Sequence, residues 1–267
     1  MKIAVCFWGQ IRTGVFSSPS ILSYFGDLVP NIDFFVHSWN IESVSYPEID
    51  QNPMLPNLEG LPRKIFKEIE FFNFDVSDDK KSNFLDTYKP KKFIFDDQKR
   101  DNFMIPPHYI SRHSVNLLKQ QYEQENNFKY DVVISMRPDL MFSSSASLST
   151  DLIDCNLNND KIYNRHYNVD TTREKLIESL FIMGNSHNID IFSSFIMQDI
   201  EPGPDTQELD YQYSVNHGLT PNRIVNYDFI VYRYYSVYMT RIGISDDALV
   251  QQFYKSALAY KIETYTK

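Results

Sequence analysis

Three groups of polar residues, each at the end of an apolar run, could bind a phosphorylated ligand. The first is Arg137-Pro138-Asp139, which directly follows the β-branched run of residues 131–136. An oxygen of Asp139 could bind a divalent metal, because hard cations prefer oxygen ligands. Arg137 could instead neutralise a diphosphate directly, as a fixed cation. The alternative is an Arg–Asp ion pair that only closes the sheet edge.

The second group follows the N-terminal apolar run and reads Trp8-Gly9-Gln10-Ile11-Arg12-Thr13. Gly9 allows a tight turn, whose N–H groups could face a phosphate or a base. Arg12 could pair with a diphosphate through two N–H groups. The spacing matches neither GxGxxG nor a P-loop, which argues against a dehydrogenase and a P-loop kinase. The alternative is a plain strand-to-helix turn with an arginine on the surface.

The third group is His37-Ser38-Trp39, at the end of another apolar run. Trp39 could stack on a base, and His37 could donate a hydrogen bond to a phosphate. A structural role for both residues is the alternative interpretation.

A parallel sheet would bring these groups together. Apolar residues on both faces predict buried strands at Lys2 to Trp8 and Ile32 to Trp39, with a helix at Ser20 to Val29 between them. This order indicates a Rossmann-like sheet. Asp131 to Met136 is the most strand-like run and should lie centrally. In open α/β sheets ligands bind outside the carboxyl ends of the strands, so all three groups are expected there.

The rest of the chain predicts an α/β domain with a mixed, mainly parallel central sheet flanked by helices. Residues 40–62 are expected to form a long loop. The helix at Tyr109 to Glu125 should turn Ile110, Ser114, Leu117 and Leu118 inward. Further strands are expected at Lys92 to Asp96, Lys161 to Asn164, Ser179 to Met183 and Asp228 to Tyr232, and helices at Asp79 to Tyr88, after a Ser186 cap, at Asp205 to Asn216 and at Asp246 to Tyr260.

Composition narrows the class of protein. The 267 residues are 42% hydrophobic and 23% charged, as in ordinary globular domains. A net charge of −9 argues against a general nucleic-acid binder, which needs a basic face. Only Cys6 and Cys155 are present, which favours a reducing compartment. No stretch reaches the length of a transmembrane helix or has a signal-peptide pattern, so a cytoplasmic protein is expected.

At the three groups of polar residues described above, the sequence resembles small GT-A glycosyltransferases of bacterial surface-glycan loci and large DNA viruses. The similar segments are Gly-Gln-Ile-Arg-Thr after the first strand, His-Ser-Trp after the second, and Tyr-Asp-Val-Val-Ile-Ser-Met-Arg-Pro-Asp-Leu at Tyr130 to Leu140. Later similar blocks are Glu178 to Ser186, continuing to Phe195, and Asp205 to Leu209. The resemblance covers most of residues 1–235.

The resemblance implies one GT-A-like domain over residues 1–267, with a nucleotide-sugar-binding half at 1–143 and an acceptor-side half with a C-terminal helix at 144–267. The implied donor is a UDP-, GDP- or dTDP-linked sugar, and the implied acceptor is a glycan hydroxyl. Such enzymes often use Mn²⁺ or Mg²⁺ held by an Asp-x-Asp motif. Here Arg137 stands at the first Asp position and only Asp139 matches, which puts metal dependence in doubt.

The candidate donor-binding residues are therefore Trp8, Gly9, Gln10, Arg12, Thr13, His37, Trp39, Arg112, Arg137 and Asp139. Arg112 could instead lie on the helix surface.

An inverting reaction would need a carboxylate to accept the proton of the acceptor hydroxyl. Asp205, Glu208 and Glu178 are the candidates. The Asp-x-x-Glu spacing of the first two also fits a helix capping box, and Glu178 could simply be exposed. A retaining reaction would not require any of them as a base.

Two other functions are compatible with the sequence. One is a nucleotide- or glycan-binding protein of the same fold without catalytic activity, consistent with the missing first Asp. The other is a sugar nucleotidyltransferase, although the chain lacks the Gly-rich, basic N-terminal loop expected of that class.

Overall fold

The computed structural model describes residues 1–11, 14–45, 71–97, 106–142, 146–154, 160–165, 177, 179–195, 206–224 and 229–231. Its strands are β1 (Ile3–Gly9), β2 (Ile32–Trp39), β3 (Ile41–Ser45), β4 (Phe71–Asp75), β5 (Lys92–Asp96), β6 (Val132–Met136), β7 (Leu140–Phe142), β8 (Lys161–Arg165), β9 (Phe181–Gly184), β10 (Thr220–Ile224) and β11 (Phe229–Val231). Its helices are α1 (Gly14–Phe25), α2 (Asp78–Tyr88), α3 (Pro107–Asn126), α4 (Leu148–Asp154), α5 (Ser186–Ser193) and α6 (Thr206–Asn216), and a 3-10 helix spans Gly26–Asn31.

Within these residues, the main sheet has seven strands in the order β10-β8-β9-β6-β1-β2-β5. β9 runs antiparallel to both of its neighbours, and the other neighbouring strands are parallel. The prediction of a mixed, mainly parallel sheet flanked by helices is confirmed. β6 occupies the middle position, as its β-branched composition indicated. Two further pairs, β3–β4 and β7–β11, lie outside this sheet.

Both faces of β1 are buried, which explains its uninterrupted apolar sequence. Ile3, Val5 and Phe7 pack with residues of α1 and α2 on one face. Ala4, Cys6 and Trp8 pack with residues of α3 and α5 on the other. Helices therefore cover both faces of β1, and the carboxyl ends of β1 and its parallel neighbours lie at one edge of this layered structure.

The predicted inward face of α3 was wrong for Leu117, which is 47% exposed, and right for Leu118, which packs against the core. The residues of α3 that are almost completely buried include Arg112, Lys119 and Glu123, which the prediction did not turn inward. The apolar spacing misled the prediction because the buried face carries charges whose partners come from other elements. A buried charge is tolerated when an opposite charge and hydrogen bonds compensate it.

Several boundaries also differ from the prediction. The expected loop at 40–62 begins with strand β3, which is stabilised by pairing with β4. Helix α5 is capped by Asn185, whose side chain accepts from the N–H of Asn188, so Ser186 is the first helical residue instead of the cap. The predicted helix at residues 246–260 lies outside the described residues. Among the described helices, none is both long enough and apolar enough to cross a bilayer.

Candidate functional site

The three groups of polar residues meet at one edge of the sheet. β1 pairs in parallel with β2 on one side and with β6 on the other. The register places Gly9 opposite Ser38, and Phe7 opposite Met136, directly before Arg137. The residues that follow these strands therefore leave the sheet side by side, at the edge where α/β proteins bind ligands.

The turn after β1 is fixed by hydrogen bonds to neighbouring elements. Gly9 has a φ of +94°, a conformation that favours glycine. Its N–H donates to Ser111 Oγ at 2.7 Å, and Gln10 Nε2 donates to the carbonyl of Ile41 at 2.9 Å. These groups hold the turn in shape, and the Gly9 N–H already has a protein acceptor. Arg12 and Thr13 lie outside the described residues.

His37 belongs to a buried polar cluster at the end of β2. Its Nδ1 lies 2.9 Å from Ser111 Oγ, and its Nε2 lies 3.7 Å from a carboxylate oxygen of Asp96. Burial lowers the pKa of His37 below its ordinary value of 6.5, although Asp96 opposes the shift. His37 is therefore neutral at pH 7 and acts by hydrogen bonding. The ring of Trp39 packs edge-on against it, with centroids 5.1 Å apart.

Ser111 and Asp96 were not singled out by the sequence. Ser111 lies on α3 and connects Gly9 to His37, and its Oγ also lies 3.1 Å from the carbonyl of His37. A serine within a helix carries no motif of its own. Its role arises only because α3 packs across the ends of β1 and β2.

Arg137 and Asp139 form a bidentate ion pair directly after β6. Arg137 Nε donates to Asp139 Oδ1 at 2.8 Å, and Nη2 donates to Oδ2. Asp139 is fully buried, whereas the side chain of Arg137 keeps 10% of its surface exposed. The backbone on each side is also held, because the Arg137 N–H donates to the carbonyl of Leu180 at 3.0 Å and Ser17 Oγ donates to that of Pro138 at 2.5 Å.

Three buried polar atoms near these strand ends have no hydrogen-bond partner among the described residues. They are Nε1 of Trp8 on β1, Oγ of Ser135 on β6 and Oδ1 of Asn40, directly after β2. Trp8 is only 3% exposed, and Ser135 is fully buried. Buried polar atoms are nearly always satisfied by protein, water or ligand, so these three atoms can still pair with water or a ligand.

Arg112 lies inside the protein, in a bidentate ion pair with Asp210 of α6. The two N···O distances are 3.2 and 2.9 Å, and both residues are 1% exposed. The guanidinium also lies over the ring of Phe192, 4.1 Å from its centroid. Burial raises the pKa of Asp210 above its ordinary value, and Arg112 opposes that shift. Arg112 therefore connects α3 to α6. The alternative interpretation that Arg112 lies on the helix surface was wrong.

The described residues do not fit a divalent metal at this edge. Both carboxylate oxygens of Asp139 accept hydrogen bonds from Arg137. Within the described part of the chain, no three His, Cys, Asp or Glu side chains come together as a metal-ligating group. A cation at Asp139 would also lie next to a guanidinium, which disfavours it electrostatically.

The solved structures that are similar to this one include the following two. Both are of the galactosyltransferase LgtC, one in complex with donor and acceptor sugar analogues and one of an active-site mutant. The first is 11% identical with a TM-score of 0.39 and covers 83% of this chain and 73% of that chain. The second is 11% identical with a TM-score of 0.37, and the match covers 83% of this chain and 72% of that chain. At these values the likeness does not assign a function.

No protein-family model and no curated protein sequence matches the chain.

Of the three candidate carboxylates, Glu208 alone falls within the described residues. It lies on α6, is exposed, and accepts a hydrogen bond from Gln212 Nε2 at 3.1 Å. α6 is anchored near the sheet by the Arg112–Asp210 pair and by the Ile177 N–H, which donates to the carbonyl of Gln207 at 3.1 Å. Asp205 and Glu178 lie outside the described residues.

Proposed function

We propose that this protein is a glycosyltransferase that moves a sugar from a nucleotide-diphosphate donor to a hydroxyl of a glycan acceptor. The observation that carries the proposal is the strand register, which aligns the three polar groups at the carboxyl edge of β1, β2 and β6. The motif resemblance of these same residues to GT-A glycosyltransferases supports it.

The chemistry at this edge suits a diphosphate leaving group. In the reaction the bond from the anomeric carbon to the diphosphate oxygen breaks, and a bond to the acceptor oxygen forms. Negative charge grows on the diphosphate and must be stabilised by cations or oriented N–H groups. Arg137 supplies the cation, and the Trp8 indole N–H supplies a donor without a described protein partner.

The acceptor hydroxyl must lose a proton during transfer. In an inverting reaction a carboxylate accepts it, and Glu208, Asp205 and Glu178 are our candidates. In a retaining reaction the departing diphosphate oxygen can accept the proton, so these carboxylates would contribute only to acceptor binding.

A catalytically inactive binding protein of the same fold is the second candidate. It is favoured by the fact that the Gly9 N–H and His37, which face the proposed donor edge, are already engaged with Ser111. Such a protein would bind the nucleotide sugar without hydrolysing or transferring it.

The deciding experiment is a thermal-unfolding screen with UDP-, GDP-, dTDP- and CMP-linked sugars, with and without Mn²⁺ or Mg²⁺. A donor present at about 100 times its Kd should stabilise the protein by about 2.7 kcal/mol and raise Tm by roughly 5–10 °C. The same mixtures are then assayed for released nucleoside diphosphate. No shift with any donor would rule out the proposed function, and a shift without slow donor hydrolysis or transfer would favour the binding protein.

A further inference from the structure

We propose that Arg137, rather than a divalent metal, binds the donor diphosphate, and that Asp139 is the residue that positions Arg137. This inference rests on the proposed function and specifies how its donor site works. Its basis is the geometry of the segment between β6 and β7.

Asp139 occupies one edge of the guanidinium and leaves the other available. Nε and Nη2 of Arg137 each donate one N–H to Asp139. A guanidinium has five N–H donors in a rigid plane, so the remaining ones, including both on Nη1, are directed elsewhere. Among the described residues, the side-chain hydrogen bonds of Arg137 come from Nε and Nη2, and none comes from Nη1. A planar guanidinium edge of this kind matches the oxygen spacing of a phosphate.

The cation is held in place before any ligand arrives. The backbone N–H of Arg137 donates to the carbonyl of Leu180, the residue directly before β9, and the carbonyl of the next residue, Pro138, accepts from Ser17 of α1. The buried carboxylate of Asp139 then fixes the side chain itself. Hydrogen-bond donors that are already oriented, such as the N–H groups of Arg137, need not be reorganised when charge develops on the diphosphate.

Two arguments weigh against a metal in this position. Both carboxylate oxygens of Asp139 accept hydrogen bonds from Arg137. A divalent ion bound to this carboxylate would therefore have to displace the guanidinium or lie beside it. The described residues around it provide no group of three ligands. Because Asp139 offsets part of the positive charge of Arg137, the directed N–H donors, more than net charge, must provide the recognition.

The first test uses the unmodified protein and calorimetric titration with UDP, GDP and dTDP. Each titration is done in EDTA and again with Mn²⁺ or Mg²⁺. We expect the Kd of the preferred diphosphate to agree within about twofold between these conditions. Binding that is lost in EDTA and restored by Mn²⁺ or Mg²⁺ would overturn this inference while leaving the proposed function intact. Failure of all three diphosphates to bind would overturn both.

The second test compares affinity for the diphosphate with affinity for the matching nucleoside. Arg137→Met should weaken diphosphate binding by about 10- to 100-fold, the range for a hydrogen bond to a charged group, and leave nucleoside binding unchanged. Arg137→Lys should recover part of the loss, because it restores the charge without the planar edge. Asp139→Asn, which keeps the shape of the side chain, should give a smaller loss confined to the diphosphate.

The matched control is Lys92→Met. Lys92 lies at the opposite end of strand β5, paired with Glu125, so its removal changes net charge equally without touching the carboxyl edge. It should leave both affinities unchanged. If Arg137→Met and Asp139→Asn lower diphosphate and nucleoside affinity by the same factor, their role is merely structural and the inference fails.

Discussion

His37 illustrates how a residue at the carboxyl edge of the sheet is kept neutral. It is 2% exposed and lies between the Ser111 hydroxyl and the Asp96 carboxylate. Burial disfavours the imidazolium, and its pKa is lowered although Asp96 favours the charged form. In the unfolded chain the imidazole would regain its ordinary value of 6.5. Folding is therefore linked to pH at this residue.

The sign of the linkage follows from that lowered pKa. Below about pH 6.5, His37 binds a proton in the unfolded state but stays neutral in the native state until the pH is lower. The free energy of unfolding therefore decreases as pH falls. Between about pH 7.5 and 5.5, His37 should account for up to about 1.4 kcal/mol of this loss. Urea unfolding of wild type and His37→Gln at both pH values measures it as the difference in pH dependence.

His187→Gln serves as the control, because His187 is exposed. It should keep the pH dependence of the wild type. Equal pH dependence in wild type and His37→Gln would show that His37 is protonated equally in the folded and unfolded states.

The candidate residues were predictable as a group, but their partners were not. Gly9, His37 and Arg137 stand directly after or at the end of recognisable strands, so local pattern sufficed to place them at one edge. Arg137 and Asp139 are only two residues apart, so their ion pair could be predicted from the sequence, where it is the alternative to a metal or diphosphate site. Ser111 is 74 residues from His37, and nothing near either residue indicates their contact.

At the scale of elements, α3 carries a charged cluster that joins it to α5. Lys119 Nζ lies 2.7 Å from Asp190 Oδ1, 2.6 Å from Ser186 Oγ and 3.4 Å from Glu123 Oε2. Lys129 approaches the same carboxylates from the surface, with its Nζ 2.8 Å from Glu123 Oε2. The two lysines thus contact the same carboxylates, but the side chain of Lys119 is 0% exposed and that of Lys129 is 61% exposed.

Exposure should decide what each lysine contributes to stability. Lys119→Met leaves buried carboxylate and hydroxyl groups without their central donor and should lower the free energy of unfolding by about 3 kcal/mol or more. Lys129→Met removes a solvated partner and should cost about 1 kcal/mol or less. Urea denaturation of both variants gives the comparison. Similar losses would mean that solvent screens the whole cluster, against the burial seen in the structure.

At the scale of the whole molecule, β1 lies inside the sheet with a neighbour on each side and helices on both faces. Cys6 in this strand is 1% exposed, and burial raises the pKa of its thiol to about 12. Because the thiolate is the reactive form, this raised pKa and the lack of access both suppress reaction of Cys6 in the folded protein. The thiol thus reports opening of the sheet.

In a Cys155→Ser variant, Cys6 is the sole thiol, and its reaction with a disulfide reagent should follow global unfolding. Labelling in native buffer should be at least about a thousandfold slower than in about 6 M urea, given the usual stability of a domain. The logarithm of the rate should rise with urea in parallel with the equilibrium unfolding curve. Rapid labelling without urea would instead show that β1 opens locally.

The sequence by itself determined the buried parallel strands, their carboxyl ends and the polar groups that follow them. These features depend on residues close together in the chain, such as the two apolar faces of Ile3–Gly9 and the glycine that ends it. Only the tertiary structure decided which face of α3 is buried and which charges meet. Arg112 and Asp210 are 98 residues apart, and Lys119 and Asp190 are 71 apart. Helical spacing records which side chains are apolar, but it does not record which charges will find a buried partner.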